Sequence, residues 1–293
     1  MPRLSFLPTI AREIFGERAF PREPEPDLVM DGEEQVAAYA HAGRIDGVMS
    51  AAYLFHSARA SQVFQSCKRV VDLGCGPATQ LAQIAQFNPG VEFLGVDMSL
   101  EMLDKAKSYV AGLGLTNVQF QHGDITDLGF LQDASVDGVL STMALHHLPT
   151  HEHLRRCFRE VTRVLRRDGA VYMTDFGRLK NLRSVLFFAY MNAGHQPHLF
   201  SLDYERSLRA AFEHEDFVSI THETLPASVR VYGTFLVPFL TVLQTSPKPI
   251  PAELARKLVA MRKALMPRYR ADLDDMRLFF RLSGLRLDPF RQP

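Results

Sequence analysis

Between residues 69 and 176 the hydrophobic pattern changes period repeatedly, and few folds can accommodate that alternation. Short apolar runs at 69–73, 91–96, 118–122, 136–141 and 170–176 read as buried strands. Between them lie helical stretches: 79–87, with Leu81, Ile84 and Ala85 on one face; 100–113; and 151–167, with Leu154, Phe158, Val161 and Leu165 in register. Ser99 stands where an N-cap is needed and Glu101 near the positive end of that helix. Gly169 is placed to stop the helix that begins at 151. Connections of this length cross over to a parallel neighbour, so the pattern predicts a doubly wound, mostly parallel α/β sheet. Residues 178–217 are aromatic and helical, while 218–225 and 231–243 read as two more strands completing a seven-stranded sheet.

Ligands of an open parallel sheet bind beyond the carboxyl ends of its strands, near the point where strand order reverses. Three sequence positions fall there. The first is the turn Gly74-Cys75-Gly76-Pro77, whose glycines let the backbone bend sharply and approach a ligand. The second is Asp97, in GVDMS, a carboxylate able to accept both ribose hydroxyls of an adenosine group. The third is Asp124, in HGDITD, able to accept a hydrogen bond from an adenine amino group. A dinucleotide-binding dehydrogenase also uses a strand, a glycine turn and a later acid, but its third glycine is replaced here by Thr79. Pro77 also removes an N–H that a pyrophosphate would want. S-adenosylmethionine (SAM) has no pyrophosphate and tolerates both changes.

Five ordered segments, VVDLGCGPATQL, FLGVDMSLEMLDKAK, VQFQHGDITDL, LSTMALHHLP and VTRVLRRDGAVYMTDF, resemble the successive motifs of class I SAM-dependent methyltransferases. The likeness spans about residues 69–176 and is nearest the small-molecule branch that includes ubiquinone-biosynthesis-like enzymes. It implies a Rossmann-like fold, SAM as cofactor and S-adenosyl-L-homocysteine as product. It further implies that Asp72, Gly74, Cys75 and Gly76 surround the methionine part, that Asp97 holds the ribose and Met98 packs on the adenine. Gly123, Asp124 and Ile125 then stand at the adenine edge, with Thr142 at the end of the fourth strand. Ala78 departs from the family, which often has a third glycine there.

Methyl transfer from a sulfonium is an in-line displacement in which positioning and exclusion of water do most of the work. A base is needed only where the acceptor carries a proton at neutral pH. His146 and His147, after the fourth strand, are the candidates for that role or for orienting the acceptor; the alternative is a structural role in their loop. A metal on the run His146, His147, His151 and His153 is not expected, because a proline turn separates the pairs and no acid or thiol lies near in sequence. Asp175 is placed either to contact the acceptor or to cap the next helix. His195 and His198 read as pocket or surface residues, and Phe187, Phe188, Tyr190 and Phe200 as packing rather than a substrate cage.

The chain divides into an N-terminal arm and lid helices (1–67), the SAM-binding domain (68–245, with 178–217 an acceptor-side insertion) and a C-terminal helical extension (246–293). In the first part, PREPEPD at 21–27 reads as a loop or arm rather than packed structure. A helical pattern follows from 32 to about 67, through Val36, Ala37, Tyr39, Ala40, Ile45, Val48, Met49, Ala52, Tyr53 and Phe55, with a break near Gly43 and Gly47. SPKPIP at 246–251 is a linker before two amphipathic helices in 252–285.

Formal net charge is zero, which disfavours a dedicated nucleic-acid binder. Arg155, Arg159, Arg163 and Arg166 form a basic stripe at helical spacing, and the default for such a stripe is a solvated face. Cys67, Cys75 and Cys157 are too scattered for a disulfide framework and fit a reducing compartment. No apolar run reaches the roughly 20 residues that span a bilayer, and the first 20 residues lack a signal-peptide pattern, so a cytoplasmic protein is expected. The acceptor expected is a small, partly apolar molecule. The alternatives are an RNA or protein acceptor and a SAM-binding subunit without catalysis; the sequence does not set the oligomeric state.

Overall fold

Val70 and Val71 are neighbours in one strand and belong to different cores, as the two-residue period of a strand dictates. The computed structural model describes residues 4–25 and 47–291. The helical pattern expected at Val36, Ala37, Tyr39, Ala40, Gly43 and Ile45 lies outside the described residues, as do Pro26 and Asp27.

The central strands are β1 (Arg69–Leu73), β2 (Glu92–Asp97), β3 (Val118–His122), β4 (Val136–Thr142), β5 (Leu165–Phe176), β6 (Arg230–Gly233) and β7 (Leu240–Gln244). They form one seven-stranded sheet in the order β3-β2-β1-β4-β5-β7-β6. The first five are mutually parallel, and β7 runs antiparallel to both β5 and β6. The described helices are α1 (Leu7–Phe15), α2 (Ser50–Val63), α3 (Thr79–Phe87), α4 (Leu100–Gly112), α5 (His151–Val164), α6 (Leu182–Tyr190), α7 (His198–Ala210), α8 (His214–Thr224), α9 (Ala252–Ala264) and α10 (Pro267–Leu282).

Both faces of the sheet are covered. One core joins Val70, Leu140, Tyr172 and Val242 to Phe55 of α2, Ile84 of α3 and Phe280 of α10. The other joins Val71, Val139, Val171 and Leu243 to Leu154, Phe158 and Val161 of α5 and to Phe217 and Ile220 of α8. Burial on both faces explains why these strands read as nearly continuous apolar runs. Helix α4 starts where expected, the Ser99 hydroxyl accepting from the Met102 N–H at 3.1 Å.

Three expectations need correction. Residues 218–225 are not a strand but most of α8, whose start is fixed by a capping box: Glu213 accepts from the N–H of Asp216, and Asp216 accepts from the N–H of Glu213 at 2.9 Å. Its buried residues Phe217, Ile220 and Thr221 lie at helical spacing. The run 231–243 is two strands rather than one, a hairpin folded back through 234–239. Helix α5 ends at Val164 instead of 167, because buried Leu165 takes extended geometry and pairs with Val136. Gly169 therefore lies inside β5, beside a register shift of the β4–β5 pairing, and does not end a helix.

The first and last parts of the chain pack on this frame. Phe280 of α10 stacks on Phe55 of α2 at 5.3 Å between ring centres. The fully buried Arg59 guanidinium donates to the Leu285 and Leu287 carbonyls. Residues 21–25 have no regular structure and expose Pro21, Glu23 and Pro24, as an arm should, but Arg22 and Glu25 are half-buried and anchor it. Arg22 donates to the carbonyls of Ala210 (2.7 Å), Pro149 (2.5 Å), His146 (3.1 Å) and Leu148 (2.7 Å), with its guanidinium 3.8 Å from the Phe212 ring centre.

Candidate active site

Strand β1 lies between β2 and β4, so strand order reverses there and a crevice opens beyond the carboxyl ends of β1 and β4. The loop leaving β1 carries three left-handed residues, Gly74 (φ +72°), Gly76 (φ +51°) and Ala78 (φ +59°). A Cβ on Gly74 would stand 2.4 Å from the Ala144 Cβ, so the close approach to the loop after β4 needs glycine. A Cβ on Gly76 would meet nothing within 4 Å, because that turn faces open space. Ala78 is the N-cap of α3 and holds its left-handed geometry with a side chain, at a cost of about 1–2 kcal/mol.

The loop is tied to β2. The N–H groups of Gly74 and Cys75 donate to the Val96 carbonyl at 2.8 and 3.0 Å. Asp97 accepts from the Gly76 N–H through Oδ2 (2.7 Å) and from the Ser99 N–H through Oδ1 (2.9 Å). Each carboxylate oxygen keeps acceptor capacity toward the crevice. Burial raises the Asp97 pKa above the usual carboxylate range, although those N–H bonds pull the other way. Asp124 accepts from the Thr126 N–H at 2.7 Å, and the Gly123 N–H donates to the Asp97 carbonyl at 3.0 Å.

Nine of the ten residues expected around the cofactor line one cavity of about 240 Å³: Gly74, Cys75, Gly76, Asp97, Met98, Gly123, Asp124, Ile125 and Thr142. Asp72 sits behind the loop, only 2% exposed, with no hydrogen-bond partner on its Oδ1. Burial and the neighbouring Asp97 push its pKa up to about 8. An orphaned buried carboxylate, an open glycine turn and a ribose-type acid at β2 are the features a cationic adenosine sulfonium requires, so the residues present fit SAM.

The same cavity is lined by His146 and His147, in the turn Leu145–His147 after β4. His146 is buried, and its backbone N–H donates to Asp175 Oδ2 at 3.0 Å while its Nδ1 lies 2.7 Å from Asp175 Oδ1. A carboxylate only accepts, so Nδ1 carries the hydrogen, and Nε2 lies toward Glu25, 3.8 Å from its Oε1. Asp175 is fully buried, accepts also from the Phe176 N–H at 2.6 Å and fixes the His146 ring. Burial lowers the His146 pKa, but the charge and hydrogen bond of Asp175, with Glu25, outweigh it and raise the value.

Glu25 is the residue the sequence did not reveal. Its Oε1 is 3.8 Å from His146 Nε2 and its Oε2 is 3.2 Å from His147 Nδ1, and it accepts from the Ser207 hydroxyl at 2.9 Å. Burial pushes its carboxyl up, but the two imidazoles overcome this and hold the pKa at about 2. The only local signal was the pair of prolines around it, which announces extended chain and says nothing of its destination.

A second cavity of about 180 Å³ adjoins the first. Met49, Met143, Phe176, Phe200 and Tyr204 line both. The second is apolar and aromatic, with Phe188 stacked on Phe239 at 3.9 Å in its wall. Phe188 and Phe200 are thus cavity residues as well as packing, whereas Phe187 stays in the packing against Phe6 and Tyr190 bonds to Glu205. His195 and His198 are exposed and line neither cavity; His56 is buried against the Tyr172 hydroxyl at 2.8 Å, away from the crevice, while Tyr53 lines it.

A sheet in this order, with a glycine turn after β1 and acids ending β2 and following β3, agrees with the class I SAM-dependent methyltransferases that the sequence motifs resemble. The comparisons agree: residues 64–205 match the family described as a methyltransferase domain, and the chain carries such a domain. A 109-residue stretch is 39% identical to the uncharacterized methyltransferase YcgJ of Bacillus subtilis, covering 36% of this chain and 40% of that protein. Another, of 104 residues, is 33% identical to a demethylmenaquinone methyltransferase of Bacillus cytotoxicus, covering 35% of this chain and 42% of that one. The chain thus spans less than half the length of these curated relatives. A SAM-dependent methyltransferase structure from Aquifex aeolicus superposes with a TM-score of 0.52 at 16% identity, covering 75% of this chain and 98% of that one, a likeness of fold.

Proposed function

We propose that the protein transfers the methyl group of SAM to a small, partly apolar molecule. The observation that carries this reading is the apolar second cavity, which shares a five-residue wall with the cofactor crevice. Gly76 and Asp97 would hold the donor in the first cavity, and an acceptor with an apolar body would occupy the second, across that wall. The demethylmenaquinone methyltransferase relative supports the same kind of acceptor. SAM supplies an electrophilic methyl group on a cationic sulfur. The chain's own residues hold the two reactants in line and keep water out. His146, oriented by Asp175, is the side chain placed to take a proton from a hydroxyl or acidic carbon of the acceptor.

Residues 68–245 then form the donor half, while the acceptor chamber draws on all three parts of the chain: Phe6 and Thr9 before the domain, Phe188 and Phe200 in the 178–217 insertion, and Phe279 beyond it. Among the described residues no helix is long and apolar enough to cross a membrane, and a cytoplasmic location accords with that and with three free cysteines. Against the RNA alternative stands the pairing of the arginine stripe with acids. Arg155 pairs with Glu223 at 3.0 Å, Arg159 with Glu152 at 3.1 Å, Arg163 with Glu160 at 2.7 Å and Arg166 with Asp137 at 2.5 Å.

The test is calorimetric titration with SAM, followed by incubation with methyl-labelled SAM and a metabolite extract. Binding plus label in a small organic product is expected. Absence of SAM binding by folded protein would sink the proposal. Binding with label only in RNA or protein, or with no label transferred at all, would move the reading to one of the two alternatives.

A further inference from the structure

We infer that Glu25, His146 and His147 form a binding site for a first-row divalent transition-metal ion at the acceptor end of the crevice. One ligand atom from each of the three lies within 4.8 Å of the other two. Glu25 Oε2 is 3.2 Å from His147 Nδ1 and Oε1 is 3.8 Å from His146 Nε2, each near the roughly 3.4 Å between ligand atoms that stand about 2.0–2.1 Å from a tetrahedral zinc, so the carboxylate faces both rings. Two imidazoles and one carboxylate form a donor set suited to zinc and its neighbours rather than to magnesium or calcium.

Two further observations point to an ion rather than to a simple ion pair. His147 Nδ1 is buried and makes no hydrogen bond despite its short approach to Glu25, so the two meet at a distance without a donor aimed along it. The outer contacts are those of a ligand set. Asp175 holds the far nitrogen of His146, as a carboxylate behind a metal-binding histidine does, and Ser207 holds Glu25. The acid comes from Glu25, more than a hundred residues away in sequence, on the segment that Arg22 anchors. Three protein ligands beside an open cavity leave a coordination position facing the crevice. The Nε2 lone pair of His146 can serve the ion or the acceptor's proton but not both, so a bound ion inhibits the proposed transfer wherever a free base is needed.

The experiment uses the full chain without a histidine tag, stripped with chelator and titrated with zinc chloride against a chromophoric zinc chelator. One equivalent is expected, and cobalt(II) should give visible absorption bands of a four- or five-coordinate nitrogen–oxygen site. Glu25→Gln and His147→Gln should each weaken zinc at least about tenfold, and Asp175→Asn by about 10–100-fold. Far-UV circular dichroism and the thermal midpoint, read without zinc, report that each variant is folded. No competitive zinc uptake, or uptake unchanged in both Glu25→Gln and His147→Gln, overturns the site. Neither result bears on whether SAM binds, so the methyltransferase reading stands or falls separately.

Discussion

Asp72 is a carboxyl with a burial cost and no hydrogen-bond compensation at Oδ1, and its pKa near 8 leaves it largely protonated at pH 7. A cationic ligand on the other side of the loop favours the ionised form. SAM binding at pH 7 should therefore release a fraction of a proton, measurable as a dependence of binding enthalpy on the buffer's ionisation enthalpy; Asp72→Asn should abolish the release. The sign for stability follows. A folded-state pKa raised from 3.8 to about 8 gives a contribution that is full below 3.8 and lost as pH rises through 8. Thermal unfolding of the free protein should reflect that loss above pH 8, and SAM should offset it. Ala78 offers a second test at this scale. Its φ of +59° costs an alanine more than a glycine, so Ala78→Gly should stabilise by about 1 kcal/mol, raising Tm by about 2–4 °C in a chain of this size.

Among the elements, legibility followed whether a segment's partners are local. Helix α3 and strands β1 and β3 have the bounds expected from period alone, and the Ser99 cap is a contact across three residues. Helix α8 was misread because Val218, Ile220, Thr221 and Thr224 are β-branched; the capping box at Glu213 and Asp216 was the overlooked signal. That the residues expected at the cofactor would cluster was legible because they end or directly follow strands of the parallel sheet. Glu25 was not, since its partners are His146, His147 and Ser207, more than a hundred residues away, and extended chain carries no period to betray a buried face. Arg22 holds that segment in place by donating to four carbonyls. Arg22→Ala should release residues 21–25, seen as faster tryptic cleavage at Arg18 with little change in overall Tm. Unchanged cleavage would mean that Glu25 is held without it.

For the whole molecule, the last helix is part of the core. Phe280 is fully buried against Phe55, and the buried Arg59 depends on carbonyls that follow α10. Phe280→Ala should cost about 3–5 kcal/mol and lower the midpoint of a single denaturant transition, because the sheet loses packing through α2. A variant that kept the midpoint of the sheet and lost only a minor early transition would show that the C-terminal helices fold as a separate unit.

The wall between the two cavities has a consequence for how such a chain diversifies. Met143 and Phe176 come from the ends of the sheet, whereas Met49 precedes the matched domain, and the second cavity is completed by Phe188 of α6 and Phe279 of α10. A lineage can therefore rewrite its choice of acceptor by drift in peripheral helices while the donor grip stays constant. Libraries that randomise Phe188 and Phe279 and spare Met49, Gly76 and Asp97 would sample new chemistry at little risk to cofactor affinity.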